Sequence, residues 1–406
     1  MGLVSEWRSL DSKQKHAFLA AFLGWTLDAF DFWLMVYVLK FIASDFGTTV
    51  KAVSVALFLT LAMRPLGALV FGALADRFGR RPVLMVDIVL FSVLELGSAF
   101  APTLTALIVL RAAFGFAMGG EWGIGSSLAM ETIPASARGL ASGIIQEGYA
   151  CGSLLAGLVY WFLFDHIGWR GMFMVGVLPA LLVLYIRRNV EESPAWHRTR
   201  KRQRAPLGLL FRKHGLLFLY AVVLMTAFNL FSHGTQDLYP TFLQTQRMFD
   251  THTVSVLAVI GNIAAIIGGI TFGRLSQRIG RRRAIAIAAL VALPAIPLWG
   301  FGTSVVLLGV GLVLMQISVQ GAWGVVPVHL NELSPDEVRG TFPGFAYQLG
   351  NLFAAELAPL QAGFAESHGN NYALALAVVA GAAAIAIALL SSVGREAHGV
   401  EFSRPM

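Results

Sequence analysis

Apolar runs long enough to cross a lipid bilayer recur from one end of this chain to the other, and that recurrence limits its folds more than any other feature. A helix rises 1.5 Å per residue, so about 20 apolar residues span a hydrocarbon core about 30 Å thick. Twelve such runs lie near residues 16–42, 52–75, 83–101, 104–128, 139–164, 170–187, 215–243, 253–275, 284–302, 304–328, 340–364 and 372–393. Of the 406 residues, 56% are apolar and 13% are charged, whereas a soluble domain carries roughly 45–50% and about 25%. A soluble helical protein would also keep a polar face on each surface helix, and Ala373–Leu390 has none. The expectation is an all-α membrane protein with twelve transmembrane helices, whose first partner is the lipid bilayer.

A net charge of +7 invites comparison with nucleic-acid binders, but the placement of the charges argues against one. With the N-terminus in the cytoplasm, the Lys and Arg residues fall on the cytoplasmic side, except Lys40, Lys51, Arg170 and Arg247 outside and Arg64 and Arg111 within spans. That asymmetry obeys the positive-inside rule and puts both termini in the cytoplasm. Lys201, Arg202 and Arg204 in the middle loop serve as topology determinants. The polar start, Met1–Lys15, lacks the short apolar core of a removable signal peptide, so the first span is expected to direct insertion. Cys151 is the single cysteine, which excludes an intramolecular disulfide.

Sliding the chain against itself by 201 positions superimposes residues too specific to reflect shared apolarity. Gly72, Arg77, Gly79, Arg80 and Arg81 fall on Gly273, Arg278, Gly280, Arg281 and Arg282. Gly120, Trp122, Gly123, Glu131, Pro134, Arg138, Gly139 and Gly143 fall on Gly321, Trp323, Gly324, Glu332, Pro335, Arg339, Gly340 and Gly344, and Asp28 falls on Asn229. Two pseudo-symmetric six-helix halves follow. The first is expected at 1–187 and the second at 215–393, with a basic cytoplasmic linker at 188–214 and a cytoplasmic tail at 394–406. Parallel repeats of this kind place substrate near the bilayer midplane, between halves that rock about it.

The run Gly72-Ala-Leu-Ala-Asp76-Arg77-Phe-Gly79-Arg80-Arg81, its copy from Gly273 to Arg282, and Glu192-Ser193-Pro194-Ala195-Trp196 together resemble the major facilitator superfamily over essentially the full length of the chain. Gly72 lets two helices approach closely, while Asp76, Arg77, Arg80 and Arg81 can form a charge latch between spans. The resemblance implies that this latch holds an outward-facing state. Gln277 replaces the acid in the second copy, so a latch built there with Arg278 and Arg281 is expected to be weaker. The resemblance also implies a monomer in the plasma membrane, the inner membrane of a bacterium.

Polar side chains within a span are costly, and by default each marks a pathway or a pair. Span seven reads Asn229-Leu-Phe-Ser232-His233-Gly-Thr235-Gln236-Asp237-Leu-Tyr-Pro-Thr241. Helical spacing puts Asn229, Ser232, His233, Gln236 and Asp237 on one face, with Leu230, Phe231, Leu238 and Tyr239 opposite. Such a stripe must face protein or water. His233 and Asp237, four residues apart, can touch and carry a proton between them; simple hydrogen bonding between helices is the alternative. The stretch resembles the signature Asn-x-x-(Ser/Thr)-His-x-(Ser/Thr)-Gln-Asp-x-x-x-Thr of fungal and bacterial lactate and pyruvate proton symporters, a group related to sialate–proton symporters. That resemblance implies proton coupling by the His and Asp and substrate recognition by the Asn and Gln.

A carboxylate needs a cation, and Arg64, near the centre of span two, can grip one through two parallel hydrogen bonds. Arg111 in span four is the second candidate, matching a family arginine tied to coupling or helix pairing. In span one, Asp28 is either a second proton site or the residue that holds Arg64 between turnovers. Glu121, in Gly119-Gly120-Glu121-Trp122-Gly123, is expected to combine scaffold and coupling roles. His329 and Gln361 are weaker candidates for lining the cavity, and Glu95, Glu147 and Glu356 are intramembrane acids without an assigned role.

The expected function is proton-coupled symport of a small monocarboxylate, of the lactate or pyruvate type, with a sialate-like or aromatic acid as the alternative on the same fold. An enzyme would need a nucleophile or metal constellation, yet His233 and His329 are the only histidines within spans; no cofactor or metal is expected. A receptor would need an output domain that these loops are too short to supply.

Overall fold

The computed structural model describes residues 7–8, 10–199, 208 and 212–402, and every regular element among them is helical. Lys201, Arg202 and Arg204 of the linker and residues 403–406 of the tail lie outside the described residues. The first half contains α1 (Ser12–Asp45), α2 (Val50–Phe78), α3 (Arg80–Ala99), α4 (Leu104–Met118), α5 (Glu121–Thr132), α6 (Arg138–Gln146), α7 (Gly148–Val175), α8 (Pro179–Asn189) and the short α9 (Pro194–Thr199). The second contains α10 (Gly215–Gln236), α11 (Tyr239–Thr245), α12 (Thr251–Ile279), α13 (Arg281–Leu290), α14 (Ala292–Phe301), α15 (Val305–Trp323), α16 (Val326–Leu333), α17 (Phe342–Ala354), α18 (Leu357–Ser367) and α19 (Tyr372–Val393).

Helix starts are written in local chemistry. Asp11 and Gln14 form a reciprocal capping box ahead of α1, and the side chains of Thr49, Thr103, Asp250 and Ser304 accept from the first turns of α2, α4, α12 and α15. Gly79 (φ 112°) and Gly280 (φ 90°), 201 residues apart, each end one helix and begin the next in a backbone conformation that favours glycine.

Ten stretches among the described residues are long and apolar enough to cross a membrane. One of them, Arg138–Asn189, has 52 residues, about 78 Å of helix at 1.5 Å per residue, which is more than twice the hydrocarbon thickness. The chain bends within it at Gly168 (φ 60°, ψ −174°), between the expected runs at 139–164 and 170–187. The expected run at 340–364 is divided instead. Its helix stops at Ala354 and restarts at Leu357, and the exposed Glu356 stands in the break. The run at 215–243 also breaks, after Gln236, with Pro240 in the first turn of α11.

Small residues set the packing within each half. Gly115 of α4 lies on the backbone of Thr60 and Gly119, the residue that caps α4, on that of Arg64, while Gly152 of α7 lies on Thr26 of α1. A side chain at any of these positions would drive the helices apart. The two halves meet mainly at the end that carries the basic loops. Gly72 abuts Gly340 and Thr341, and its repeat mate Gly273 abuts Gly139 and Gly143. Ser127 Oγ donates to Arg339 O (2.8 Å) and Ser142 Oγ to Gly324 O (2.7 Å) across the same seam. The seam is therefore closed at the basic end, and the space between the halves lies on its other side.

Candidate functional site

The closure is built from one charge pattern used twice. Arg80 pairs with Asp76 at 3.0 Å and with Glu131 at 2.9 Å, and Arg281 pairs with Glu332 at 2.8 Å. Arg138 reaches across the seam to Glu332 and Arg339 reaches back to Glu131, both at 3.8 Å. Every partner in the second set sits 201 residues from its counterpart in the first.

Asp76 adds a contact between the halves, accepting from Gly340 N (2.7 Å), Thr341 N (3.1 Å) and Thr341 Oγ1 (2.6 Å). Gln277 makes the matching contact with a neutral amide, taking Gly139 N at 3.2 Å. The second latch keeps the geometry and loses the charge. Glu192 fastens the first by accepting from Arg80 N and Arg81 N (3.0 and 3.1 Å), and Glu396 does the same for Arg281 N and Arg282 N (3.3 and 3.1 Å). Arg77 and Arg278 have no carboxylate within 4 Å among the described residues; Arg77 lies instead over the Phe78 ring. Sequence patterning missed Phe402, whose buried ring lies 3.8 Å from the Arg138 guanidinium and 4.0 Å from that of Arg339.

Beyond the seam lies a cavity of about 550 Å³. Its wall includes Arg64 from the first half and Asn229, Ser232, His233, Gln236 and Asp237 from α10, so the polar stripe and the arginine share one space. His233 Nδ1 lies 3.1 Å from Asp237 Oδ2, and its Nε2 lies 3.1 Å from Asn351 Oδ1. Both ring nitrogens thus face oxygen acceptors, an arrangement fully satisfied by the doubly protonated imidazolium. Gln236 Nε2 donates to Gln316 Oε1 at 3.3 Å, and Asn229 Nδ2 donates to Met225 O at 2.8 Å.

Arg64 is 4% exposed, and among the described residues its only acid partner is Asp28, at 4.0 Å. Its Nη2 lies 2.7 Å from Met118 Sδ, and Phe32 presents its ring at 5.4 Å. One loose acid leaves much of this guanidinium's donor fork free for a ligand. Arg111 differs in every respect: it is fully buried, ion-paired with Glu95, stacked on Phe114 at 3.8 Å, and absent from the cavity wall. The structure therefore separates the two intraspan arginines into one at the cavity and one in a structural pair.

Asp28 and Glu121 are buried behind the wall, Asp28 against Arg64 and Glu121 against Gly24. Neither His329 nor Gln361 lines the cavity, contrary to expectation. Gln361 follows the helix break and turns to the carbonyls of Gly234 (3.0 Å) and Ala375 (3.5 Å), and His329 is buried in α16, below the cavity. Tyr239 was expected opposite the polar stripe but does line the cavity, because the break after Gln236 rotates the next turn. Glu147, Tyr149, Gln316, Gln320 and Asn351 also join the wall. Of these, Gln316 and Gln320 show a readable signal, sharing one helix face with Trp323, also in the wall, at offsets of 4 and 7.

Helices with a two-fold repeat, a central polar cavity and a latch at one end define a membrane carrier. The sequence model of the Major Facilitator Superfamily matches residues 21–355 and 238–404, and the chain belongs to that superfamily. It is 30% identical over 353 residues to the sialic acid transporter NanX of Escherichia coli (strain K12), covering 86% of this chain and 87% of that one. It is 28% identical over 442 residues to the carboxylic acid transporter protein homolog of Saccharomyces cerevisiae (strain ATCC 204508 / S288c), covering 99% of this chain and 71% of that one. Among solved structures, the proton:xylose symporter XylE superposes with a TM-score of 0.75 at 21% identity, over 96% of this chain and 97% of that one, which shows the fold alone.

Proposed function

We propose that this protein is a proton-coupled symporter of an organic monocarboxylate, working by alternating access of its two halves. The observation that carries the proposal is the shared cavity: a loosely paired guanidinium, Arg64, on one side and the His233–Asp237 pair on the other. Names of relatives that carry a sialic acid or a carboxylic acid support the substrate class. The proposed topology has twelve crossings, counting two for Arg138–Asn189 and one for α17 and α18 together, with both termini cytoplasmic. The basic end is then the cytoplasmic face, and the structure is outward-open with its inner seam latched.

A proton loads His233 and Asp237 from outside while the acid binds Arg64, Asn229 and Gln236. The acid displaces Asp28 from Arg64, and Asp28 recovers the guanidinium when the acid leaves. Glu121, behind Arg64 and Asp28, takes part in passing that proton on, and only the charge-compensated state reorients. One anion moving with one proton carries no net charge, so a pH gradient drives transport and a voltage does not. The chain acts as a monomer, with one complete cavity in each copy.

Lactate and pyruvate are small acids of the class. A cavity of about 550 Å³ also admits a sialate-like or aromatic acid, which is the second reading. The test is uptake by proteoliposomes with acid outside. Labelled lactate should accumulate above its external concentration and leak out when a protonophore collapses the gradient. Accumulation of a bulkier acid with lactate excluded would shift the substrate to the second reading, and absence of gradient-driven uptake for every acid would overturn proton symport.

A further inference from the structure

We propose that the tail after α19 is a strap that holds the basic-end seam shut, and that its grip on Arg138 sets how readily the carrier turns inward. This role rests on the alternating access proposed above. The strap acts on gating alone, whatever acid the cavity takes.

Glu396 fixes the start of the tail to its own half, accepting from Arg281 N and Arg282 N at 3.3 and 3.1 Å. Gly399 then turns the chain with a φ of 79°, a conformation that favours glycine. The residues after the turn reach the other half. Val400 O accepts from Arg138 Nη1 at 2.6 Å, and the Phe402 ring lies against one guanidinium from each half, 3.8 Å from that of Arg138 and 4.0 Å from that of Arg339. Phe402, Arg138 and Arg339 are all buried. With water excluded, a cation over a ring and a charged hydrogen bond both gain strength.

The repeat shows what the tail replaces. Arg138 Nε donates to Met130 O (2.9 Å) and Ile133 O (3.2 Å). Arg339 donates to the mates of those two residues, from Nε to Asn331 O (3.3 Å) and from Nη2 to Ser334 O (3.4 Å). Each arginine also reaches an acid of the opposite half at 3.8 Å. They part at one contact. Arg339 pairs with Asp336, three residues before it, whereas the mate of Asp336 is Ala135, which offers Arg138 no carboxylate. Val400 O supplies the missing acceptor: it takes from Arg138 the hydrogen bond that an acid takes in the second half.

The linker after the first half begins as the tail does, with Glu192 accepting from Arg80 N and Arg81 N. It then holds its own half, through Trp196 Nε1 donating to Asp76 O at 2.9 Å. The tail crosses instead. When the halves rock to open this end, Arg138 must leave Val400 O and the Phe402 ring, because Glu396 ties the tail to the opposite half. The closed seam thus keeps a charged hydrogen bond and a cation–ring contact that the open seam loses, and freeing the tail favours the open state.

The test reads the seam itself, as the rate at which a maleimide modifies Ser142→Cys on a Cys151→Ser background. Inside-out membrane vesicles present the basic end to the reagent, and no substrate is added. A chain ending at His398 keeps Glu396 and loses both contacts to Arg138; its cysteine should react at least about thirtyfold faster than the parent's, the size of one buried cation–ring contact. Ala156→Cys, buried within the first half, should stay unreactive in both chains, which separates an opened seam from an unfolded one. If it reacts in the shortened chain, Phe402→Leu decides: Ser142→Cys should react faster there with Ala156→Cys still protected. A shortened chain that reacts at the parent's rate, or Phe402→Leu that speeds both positions or neither, would overturn the strap. Since no acid enters the assay, those results would leave carboxylate transport standing, and failure of carboxylate transport would leave the strap standing.

Discussion

The two halves share their contacts and differ in their charges. Asp76 and Gln277 hold the same backbone amide in opposite halves, one as an acid and one as an amide. Buried Arg64, Arg111, Glu95 and Glu121 have Ala265, Leu312, Ile296 and Ala322 as mates, while His233, Gln236 and Asp237 answer to Phe32, Met35 and Val36. A latch needs a hydrogen-bond acceptor in the right place, and either side chain supplies it. Charge kept on one side only, in a medium that penalises it, marks where an ion is handled or where two groups pay for each other.

The sharpest way to break the comparison is at the Glu95–Arg111 pair, which the second half replaces with Ile296 and Leu312. Arg111→Leu alone leaves a buried carboxylate and should destabilise the protein by about 3–5 kcal/mol, read as a loss of thermal stability in detergent. The double variant Glu95→Ile with Arg111→Leu should recover most of that loss. A double variant as unstable as the single would show that Arg111 has a second role.

Next in size is Arg64→Ala, which gives the cavity its mate's residue. Monocarboxylate binding should weaken at least about 100-fold, or about 2.7 kcal/mol, and the loss of thermal stability should be smaller than for Arg111→Leu because the Asp28–Arg64 pair is loose at 4.0 Å. Arg64→Lys should recover only part of it, since lysine cannot form the two parallel bonds. Parent-like binding by either would place the carboxylate elsewhere.

The latch should respond more gently. Phe402→Ala should loosen the closed seam about thirtyfold, since a cation over a buried ring contributes about 2 kcal/mol. It can be followed as faster modification of a cysteine introduced at Ser142. Asp76→Asn converts the first latch into the neutral form of the second and should change uptake by no more than about threefold, whereas Asp76→Ala removes the acceptor and should cost about tenfold, the size of one lost hydrogen bond to a charged group. Equal effects would mean that charge, and not geometry, closes the seam.

Much of this was legible in the sequence because it repeats. The 201-residue shift located both latches, and helical spacing within one span located the stripe from Asn229 to Asp237. Arg64 stood out because a lone arginine in an apolar run has no structural reason to be there. Partners supplied by other spans were not legible. Asn351 on His233 and Gln316 on Gln236 are contacts 118 and 80 residues away, and local periodicity carries no information about them. Helix breaks were equally hidden. The interruptions after Gln236 and Ala354 fall inside continuous apolar runs, and the first of them turned Tyr239 into the cavity. Phe402 follows a short polar tail, where an isolated aromatic has no pattern to belong to.

The central claim is that acid and proton move together through the cavity shared by Arg64 and His233. The most direct measurement is proton movement itself, in proteoliposomes loaded with a pH-sensitive dye and clamped at zero voltage. Adding lactate, or the acid that the uptake panel selects, should acidify the lumen in step with its entry for the parent. The His233→Ala variant should let the acid exchange without acidification. Acid entry with no luminal acidification in the parent, or unchanged acidification in His233→Ala, would contradict the account.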